Sequence, residues 1–598
     1  MSISILDNFR EMLDYVKGQY AERVAFVYSN NNEQELITYE TFCNDVLKLS
    51  RKFTTKRTPI GLLGENSYEW IITYLAIEVS DNIVIPLDHS ANLETIVSEM
   101  ETAECANIFY SDRFRPFVQE VQKNNKRSLL SAICMNNIQS DERDTFELYD
   151  QNNLEKTSKS KDLFKGASVV IFTSGTTSQS KGVLLTQQSI IANSVSATNL
   201  IQFYPKILLF LPLYHAFGIT GGVFIPMLEG CTVILSNENY SILQNIQSSG
   251  ANTILAVPAM VKIFRDTIID AHNDVSIMGN VKQIVCGGAT VAPELYDFFE
   301  NIHIAVQIGY GLSECCCVVS INGNTDRRRN SVGQVVDCCS VKIMNPDQNG
   351  CGEILIAGKS IMIGYLDAPD LTAKAFDGEY FKSGDLGYMD DDGFIYITGR
   401  SKNLLVMSNG KKIAPEELES CICMIPHVKE AIVFLLMGER SHESVAAEIY
   451  IDPKSDSEKV RESVLESIDN LNRNLPIYKR IQRIYFRSNE FEKTSTHKIL
   501  RKPKAIGAEG KMLNIDEEKQ KDYRQLIELI SKFSVVPIGE INLESDLFND
   551  LGLDSLQYTS LMCEISDQFR LEFSGEIYKS INTVCDIVSI IHNFSEQK

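Results

Sequence analysis

The chain has 598 residues, a formal net charge of −22 and 15 cysteines. A chain of this length is too long for one hydrophobic core and predicts about three to five domains. The apolar share of 44% and the charged share of 23% are ordinary for a soluble globular protein. The acidic balance argues against a general nucleic-acid binder, which needs a basic surface to displace counterions from phosphates.

The cysteines lack the two-residue spacing of a zinc knuckle or a redox pair, although several are adjacent, as at positions 315–317 and 338–339. An odd cysteine count without a disulfide framework is typical of a reducing compartment. The N-terminal residues contain no apolar stretch of the signal-peptide kind. We therefore expect a cytoplasmic protein.

Roughly the first four hundred residues alternate short β-rich apolar runs with amphipathic stretches, which predicts an α/β fold with a largely parallel sheet. The runs that read as strands are residues 82–88, 168–174, 231–236 and 252–258. Near Gly399 the pattern changes to a smaller α+β type, and the last eighty or so residues look wholly helical. We predict a large core, a small mobile subdomain, a linker and an all-α domain, over residues 1–398, 399–504, 505–520 and 521–598.

One apolar segment, residues 207–228, is about long enough to span a bilayer. It contains Pro212, His215 and Pro226, which would all be costly in lipid. We therefore predict a buried core segment with a turn in it, and no membrane span.

The stretch "TSGTTSQSKG", residues 173–182, has the composition of a loop that holds phosphate. A Walker loop needs glycine before its lysine, so Ser180 before Lys181 excludes that motif. Gly175 would let the backbone approach an anion, and Lys181 supplies positive charge. Hydroxyl donors come from the remaining candidates Thr173, Ser174, Thr176 and Thr177. A solvated Ser/Thr turn is the alternative.

"TSGTT" followed by "KG" resembles the phosphate loop of the adenylate-forming superfamily, which comprises acyl-CoA synthetases, adenylation domains of nonribosomal peptide synthetases and firefly luciferase. Further stretches resemble the family in its own order. Two of them, residues 61–88 and 399–419, most resemble bacterial long-chain acyl-CoA synthetases. The resemblance covers residues from about 37 to 591. Ser178 and Ser180 replace a glycine and a proline of the family loop, so pyrophosphate handling is expected to differ.

"LPLYHAFG", residues 211–218, resembles the motif that places His215 near the acid substrate and gates its entry. Amino-acid-activating relatives have an aspartate in this region, because a substrate ammonium needs a carboxylate partner. No acidic residue occurs between Leu211 and Leu228. The segment therefore favours an apolar fatty or aryl acid over an amino acid.

The resemblance also implies a nucleotide site with magnesium, in which Gly287, Gly288 and Ala289 border the adenine. Tyr310 of "GYGLSE" is expected to stack on the base next to Gly311, Ser313 to bond the α-phosphate, and Glu314 to bind Mg²⁺. The longest match to the family, residues 381–419, implies further roles. Asp385 is expected to bind the ribose, Arg400 to bind ribose or phosphate, and Lys402 to be a hinge. Within this match, "DDDG" at residues 390–393 reads as a surface hairpin turn.

"KTSTHKILR", residues 493–501, resembles the final family motif and puts Lys498 at the catalytic lysine. Its charge would stabilise the transition state in which a carboxylate attacks the α-phosphate of ATP. Glu492 and His497 replace a proline and a glycine. If that glycine needs positive φ, histidine costs about 1 kcal/mol and slows the first step.

"DLFNDLGLDSLQYTSLMCEI", residues 546–565, resembles the attachment motif of acyl- and peptidyl-carrier proteins. Ser555 would carry 4′-phosphopantetheine at a helix N-terminus, where a bare serine is commonly a cap. Residues 521–598 hold 13 acidic and 6 basic residues, the acidic balance that carriers present to partners. The implied partners are a phosphopantetheinyl transferase and a downstream synthase, condensation or acyltransferase enzyme.

These motifs predict an acid–thiol ligase that forms acyl-AMP and loads the fused carrier. One alternative sends the acyl group to free CoA or to a carrier in trans. Another is a decayed adenylation domain that serves as a scaffold for its carrier, and luciferase-like oxidation is a weaker option.

Overall fold

The computed structural model divides into two compact units. The first holds the described residues up to Arg480 and those from Phe486 to Arg501, and the second holds residues 481–485 and the described residues from 525 onward. The structure describes residues 3, 6–30, 33–124, 131–136, 138–140, 142–149, 163–173, 180–236, 240–288, 291, 293–323, 327–407, 411–437, 443–453, 455–473, 475–493, 499, 501, 525–534, 541, 545, 547, 551, 553, 555–569, 581, 583–584, 586–588 and 591.

Helices and strands alternate through most of the first unit. The α-helices are α1 Phe9–Tyr20, α2 Tyr39–Ser50, α3 Tyr68–Val79, α4 Leu93–Thr102, α5 Arg115–Asn124, α6 Gln187–Thr198, α7 Ile225–Leu228, α8 Ile242–Ser249, α9 Pro258–Asp270, α10 Pro293–Asn301, α11 Pro369–Ala375, α12 Pro415–Cys423, α13 Glu458–Arg473 and α14 Ser555–Phe569. Short 3₁₀ turns lie at Asp112–Phe114, Ile138–Ser140, Val275–Met278, Ser313–Cys315, Ser401–Asn403 and Ile477–Lys479, and a π-helix at Phe217–Phe224.

The strands are β1 Val24–Asn30, β2 Glu33–Thr38, β3 Pro59–Leu63, β4 Ile83–Pro86, β5 Asn107–Tyr110, β6 Ser131–Cys134, β7 Val169–Thr173, β8 Lys181–Leu185, β9 Lys206–Leu209, β10 Thr232–Leu235, β11 Thr253–Ala256, β12 Gln283–Gly287, β13 Ala305–Tyr310, β14 Ser320–Asn322, β15 Gly333–Val335, β16 Cys339–Met344, β17 Gly352–Gly358, β18 Gly364–Tyr365, β19 Phe376–Asp377, β20 Tyr380–Met389, β21 Phe394–Arg400, β22 Leu405–Val406, β23 Lys412–Ile413, β24 Val428–Met437, β25 Glu443–Ile451 and β26 Ile481–Arg487. All four predicted strands are confirmed, as β4, β7, β10 and β11.

A seven-stranded sheet has the order β18-β8-β7-β4-β3-β5-β6. Its strands from β7 to β6 run parallel, and β8 returns antiparallel along β7. Strand β3 is buried at every position, as expected of a parallel strand covered on both faces. Helix α6 follows β8 and begins at Gln187, directly after Thr186, whose side chain accepts a hydrogen bond from Ser189 N and caps the helix.

A fourteen-stranded sheet has six neighbouring parallel strands, in the order β13-β12-β11-β9-β10-β1. Beyond β13 the strands are antiparallel, and β2 is antiparallel at the opposite edge. The sequence analysis predicted a largely parallel sheet. The structure has that parallel part and, in addition, an antiparallel part beyond β13 that was not predicted. The turn after β20 is the predicted hairpin, closed by Gly393 N donating to Asp390 O at 3.0 Å.

The apolar segment 207–228 lies in the core. It contains the end of β9, the π-helix and α7, and the side chains of α7 are buried. No described helix is both long and apolar enough to cross a membrane. The predicted buried segment is therefore confirmed for these residues.

A smaller α+β part of the first unit follows β21, with α12, α13, β24 and β25. Strands β24 and β25 pair antiparallel along their length. Lys262 on α9 connects this part to the large core: its Nζ donates to Cys423 O at 2.7 Å and to Val428 O at 2.6 Å. Burial lowers the pKa of Lys262, because a buried ammonium loses its hydration. The two carbonyl oxygens accept the hydrogen bonds that water would otherwise accept.

The described part of the second unit is helical around its own apolar core. Residues 525–531 are helical, α14 covers Ser555–Phe569, and residues 586–588 are helical. Their buried side chains include Leu526, Ile530, Leu561 and Ile565. This packing agrees with the predicted all-α domain.

Candidate active site

Several predicted site residues end parallel strands. Thr173 is the last residue of β7, Gly287 the last of β12 and Tyr310 the last of β13. Strands β12 and β13 are neighbours, with Gly287 opposite Gly309. Ligands of open α/β sheets bind beyond the carboxyl ends of the strands, and these residues lie at such ends.

The predicted phosphate loop is anchored at both ends by one hairpin. Thr173 and Lys181 are opposite each other in the β7–β8 ladder, and Thr173 Oγ1 donates to Lys181 O at 3.5 Å. Residues 174–179 lie outside the described residues. The roles of Ser174, Gly175, Thr176 and Thr177 and the effect of Ser178 therefore stay predictions.

Lys181 is linked to Glu314 by a side chain that the sequence analysis missed. The Nζ of Lys181 lies 5.6 Å from the centroid of the Tyr365 ring, and Tyr365 OH donates to Glu314 Oε1 at 2.9 Å. Burial, followed by the Glu314 charge, raises the pKa of Tyr365, so its hydroxyl remains a donor. The cation of the phosphate loop and the predicted magnesium ligand thus share one neighbour.

Asp385, Tyr310 and Arg400 form a second cluster. Asp385 is only 3% exposed. Its Oδ1 lies 2.9 Å from Arg400 Nε, and its Oδ2 accepts a hydrogen bond from Tyr310 OH at 2.8 Å. Asp385 and Arg400 are also direct partners in the β20–β21 ladder, so the hairpin sets their spacing. Burial and then the Asp385 charge raise the pKa of Tyr310.

The predicted hinge residue lies in the field of both clusters. Burial lowers the pKa of Lys402, and the positive charges of Arg400 and Lys181 lower it further. The carboxylates of Asp385 and Glu314 oppose this shift. Two cations and two carboxylates from distant parts of the sequence therefore act on the Lys402 ammonium.

Three of the predicted backbone positions need glycine for different reasons. A Cβ on Gly311 would lie 1.7 Å from Cys317 O, and one on Gly287 would meet the Phe217 ring at 3.3 Å. Gly288 has φ +86°, which favours glycine, and its nearest neighbour would be a Val257 methyl at 3.8 Å. The backbone at Gly288 is thus open to a ligand, while Gly311 is packed against protein. Ala289 lies outside the described residues.

The segment predicted to contact the acid is tightly packed. The His215 and Tyr214 rings lie 4.4 Å apart. A Cβ on Gly221 would lie 2.8 Å from the Phe217 ring, and one on Gly222 would lie 2.5 Å from a Leu209 methyl. These two glycines serve close packing: the π-helix brings Phe217 over Gly221, and Leu209 of β9 packs against Gly222.

Other predicted positions lie partly or wholly outside the described residues. Lys498 and His497 lie outside the described residues, and Glu492 lies within them. Ser555 is the first residue of α14, so its backbone is at a helix N-terminus as predicted. The structure does not describe its side chain. Ser313 begins a 3₁₀ turn, one residue before Glu314.

Tyr365 and Ser383 were missed by sequence reasoning. Ser383 Oγ accepts from Asp385 N at 3.0 Å and donates to Ile354 O at 2.7 Å, which fixes the backbone that presents the carboxylate. Ser383 lies next to "GDLG", so its proximity in sequence was an available signal. Tyr365 lies on β18, which is far from β8 in sequence but pairs with it in the sheet. No sequence pattern relates Tyr365 to Glu314.

The donor set fits a nucleotide and a divalent cation. Asp385 offers carboxylate oxygens to hydroxyl donors, and Lys181, Arg400 and Lys402 offer positive charge to phosphates. No group of three or more metal-ligating side chains occurs among the described residues. A single carboxylate such as Glu314 suits Mg²⁺, which commonly takes one or two carboxylates together with substrate phosphates.

Family models match three stretches of the chain. The AMP-binding enzyme family matches residues 13–366, the AMP-binding enzyme C-terminal domain matches residues 402–505, and the phosphopantetheine attachment site matches residues 524–591. The first match covers more than half of the chain. The chain therefore belongs to the AMP-binding enzyme family, and a carrier-type attachment domain is fused to it. The predicted family and the fused carrier are confirmed, and the domain boundaries drawn above stay predictions.

The individual proteins that the chain resembles share 30% or less of their residues with it. A 4-coumarate–CoA ligase-like protein of Arabidopsis thaliana is 30% identical over 353 residues, which cover 55% of this chain and 63% of the relative. The match thus spans less than two thirds of that protein. The anthranilate CoA ligase AuaEII in complex with anthranoyl-AMP superposes with a TM-score of 0.70 at 18% identity, covering 84% of this chain and 97% of that one. The O-succinylbenzoate CoA synthetase of Bacillus subtilis in complex with ATP and magnesium gives 0.65 at 20% identity, covering 82% and 98%. At these identities the superpositions show the fold alone, and they confirm the predicted architecture.

Proposed function

We propose that the protein activates a carboxylic acid with ATP as acyl-AMP and then transfers the acyl group to the carrier domain of the same chain. The observation that carries this proposal is the presence of both AMP-binding enzyme matches and a phosphopantetheine attachment site in one chain. A tethered carrier meets its donor at an effective concentration of roughly millimolar if the linker spans the distance. Ser555 is the proposed attachment residue.

The proposed nucleotide site uses the two clusters around Asp385 and Glu314. Asp385 accepts hydrogen bonds from the ribose hydroxyls, with Arg400 holding the carboxylate in place at 2.9 Å. Lys181 and the loop before it bind the β- and γ-phosphates, and Ser313 bonds the α-phosphate. Tyr310 stacks on adenine, while its hydroxyl stays bonded to Asp385. Gly287, Gly288 and Ala289 border the base, beside Gly311.

The first half-reaction joins the acid to the α-phosphate and releases pyrophosphate. Glu314 is the proposed magnesium ligand, and Mg²⁺ supplies positive charge to the phosphate oxygens when bound. Lys498 is proposed to offset the charge that builds up as the carboxylate attacks. Lys402 is the proposed hinge for the rotation of the small subdomain before thioester formation. AMP then leaves as the acyl group passes to a thiol.

The acid is proposed to be an apolar fatty or aryl acid. The segment from Leu211 to Leu228 has no acidic side chain for a substrate ammonium. Gly221 and Gly222 are packed against Phe217 and Leu209, so their missing side chains serve close packing and do not by themselves make room for a long chain. A phosphopantetheinyl transferase and a downstream synthase, condensation or acyltransferase enzyme complete the proposed set of partners.

An acyl-CoA ligase is the second candidate. The relatives and superposed structures named above are described as CoA ligases or synthetases, which favours free CoA as acceptor. The fused attachment domain favours the carrier. The acceptor therefore needs a direct experiment.

The pantetheinylated full chain is incubated with ATP, Mg²⁺, free CoA and a panel of acids, and its intact mass and the soluble thioesters are recorded. We expect a mass gain equal to one acyl group, lost in Ser555→Ala and kept in Ser560→Ala, an exposed serine on the same helix. Both variants should retain acid-dependent pyrophosphate exchange, whereas Lys498→Ala should lose it. Acyl-CoA in solution with an unmodified chain would favour the CoA ligase. No exchange with any acid would contradict both candidates and favour a scaffold.

A further inference from the structure

We propose that Cys338 and Cys339 form a thiol pair that a hydroperoxide oxidises to a disulfide, and that this oxidation disturbs the turn that carries Glu314. The two residues are adjacent in sequence: Cys339 is the first residue of β16, Cys338 precedes it, and both are half-buried. Their Sγ atoms lie 4.0 Å apart. Neither residue belongs to the nucleotide or acid site proposed above.

The surroundings of Cys338 favour its thiolate. Asn193 Nδ2 donates to Cys338 Sγ at 3.8 Å. Hydrogen bonds from the Cys339 thiol, and then from Ser196, Ser360 and Asn193, lower the pKa of Cys338. The Cys339 pKa is raised because this thiol donates to its neighbour. Cys338 is therefore the sulfur that favours the nucleophilic thiolate form, and Cys339 is the sulfur that keeps its proton.

Buried cysteines elsewhere in the chain differ from this pair. Burial raises the pKa of Cys43, Cys105 and Cys231 to about 12, which keeps those thiols protonated. A protonated thiol inside a core reacts slowly with peroxides, because the thiolate is the reactive form. Half-buried Cys338 combines access with hydrogen bonds to sulfur, so it should react before them.

The proposed chemistry balances with a hydroperoxide as oxidant. The Cys338 thiolate attacks the O–O bond, a sulfur–oxygen bond forms, and the departing oxygen takes a proton. The resulting sulfenic acid is attacked by Cys339 sulfur: the S–S bond forms, the S–O bond breaks, and the hydroxyl leaves as water with the Cys339 proton. With hydrogen peroxide, the net change is two thiols and one peroxide to one disulfide and two waters.

Both sulfurs contact segments that reach the active site. Cys339 Sγ lies 2.9 Å from Ser360 Oγ, and two residues further Met362 N donates to Glu314 O at 2.8 Å. On the other side, Asn193 Nδ2 donates to Val318 O at 2.6 Å in addition to its bond to Cys338. Forming an S–S bond removes the thiol proton and moves both sulfurs away from these partners. The turn around Glu314 then loses support from two directions.

The direct test is a peroxide titration of the full chain, followed by alkylation, trypsin digestion and mass spectrometry. Trypsin releases residues 330–342, which contain only these two cysteines. We expect this peptide to become two hydrogen atoms lighter and to escape alkylation at a peroxide dose roughly tenfold below that which oxidises exposed Cys421. Dithiothreitol should restore alkylation. Alkylation of both sulfurs up to the Cys421 dose would overturn the proposal.

Single variants test the order of events. Cys339→Ser should accumulate a sulfenic acid at Cys338 that dimedone traps, whereas Cys338→Ser should leave Cys339 reduced. Trapping at Cys339 alone would overturn the assignment of the nucleophile. Pyrophosphate exchange should fall with disulfide content and recover with dithiothreitol in the parent chain and in Cys421→Ser, and resist peroxide in Cys338→Ser. Full activity in the fully oxidised chain would overturn the link to Glu314.

Discussion

Asp385 is the residue whose replacement tests the proposed nucleotide site most directly. Its side chain is 4% exposed and binds Arg400 Nε at 2.9 Å and Tyr310 OH at 2.8 Å. Asp385→Asn keeps the size and one acceptor oxygen, which can still accept from Tyr310. It removes the negative charge and the second acceptor, and it leaves the Arg400 guanidinium without its ionic partner.

The expected loss follows from the hydrogen bonds involved. A hydrogen bond to a charged group contributes about 1.5–3 kcal/mol, and the amide gives up about one such bond to the ribose hydroxyls. Since about 1.4 kcal/mol corresponds to a factor of ten, kcat/KM for ATP should fall about 10- to 100-fold. Most of the change should appear in KM, because the ribose is bound in both ground and transition states.

The assay is acid-dependent ATP–pyrophosphate exchange at varied ATP, with a thermal melt of each variant. Asp392→Asn is the matched control: it lies in the turn of the same hairpin and binds Arg328 at 2.6 Å, but its side chain is 66% exposed. The control should stay within about twofold, because exposed ion pairs contribute little. A folded Asp385→Asn variant with less than about a threefold change would refute the assignment of the ribose site.

Three further changes test other parts of the structure. Tyr365→Phe removes the donor to Glu314 and should raise the Mg²⁺ concentration for half-maximal exchange by about 2- to 10-fold, as one hydrogen bond predicts; an unchanged Mg²⁺ curve would refute this link. Lys262→Met removes two hydrogen bonds to the small subdomain and should speed hydrogen exchange across α12, measured by mass spectrometry, while unchanged protection would show that the contact is not stabilising. Burial raises the pKa of Glu229 to about 7, so its charging opposes folding, and stability falls as pH rises from the unfolded pKa near 4.3 towards 7. Glu229→Gln should therefore be about 1–2 kcal/mol more stable than the parent in urea unfolding at pH 8 and equal to it near pH 4.5, and a gain at the acidic end alone would reverse the sign of this argument.

Much of the fold could be predicted, because local patterns determine it. Short β-branched runs such as residues 169–173 and 232–235 have few alternatives to a buried strand, and "DDDG" has few alternatives to a tight turn. Thr186 ahead of an apolar repeat similarly marks the start of α6. These features depend on neighbours within a few residues, so one sequence contains enough information.

The geometry of the site could be predicted only as a set of residue types. The motifs pointed to Lys181, Glu314, Asp385 and Arg400, but the bridge through Tyr365 depends on β18 pairing with β8 from far along the chain. The same limit applies to Gly221 and Gly222, since glycines in an apolar segment can make room for a substrate or allow close packing, and the residue type alone does not distinguish the two. Only the positions of the neighbouring side chains decide between these.

The Phe217 ring covers Gly221 and also faces Gly287, whose backbone borders the proposed adenine position. A single aromatic side chain would thus be a wall common to the proposed acid and nucleotide compartments. Under the proposed function, a smaller residue at this position enlarges the acid compartment without touching any phosphate or ribose ligand. Because the same ring also lies against Gly287, substrate range and adenine affinity would then change together and not independently.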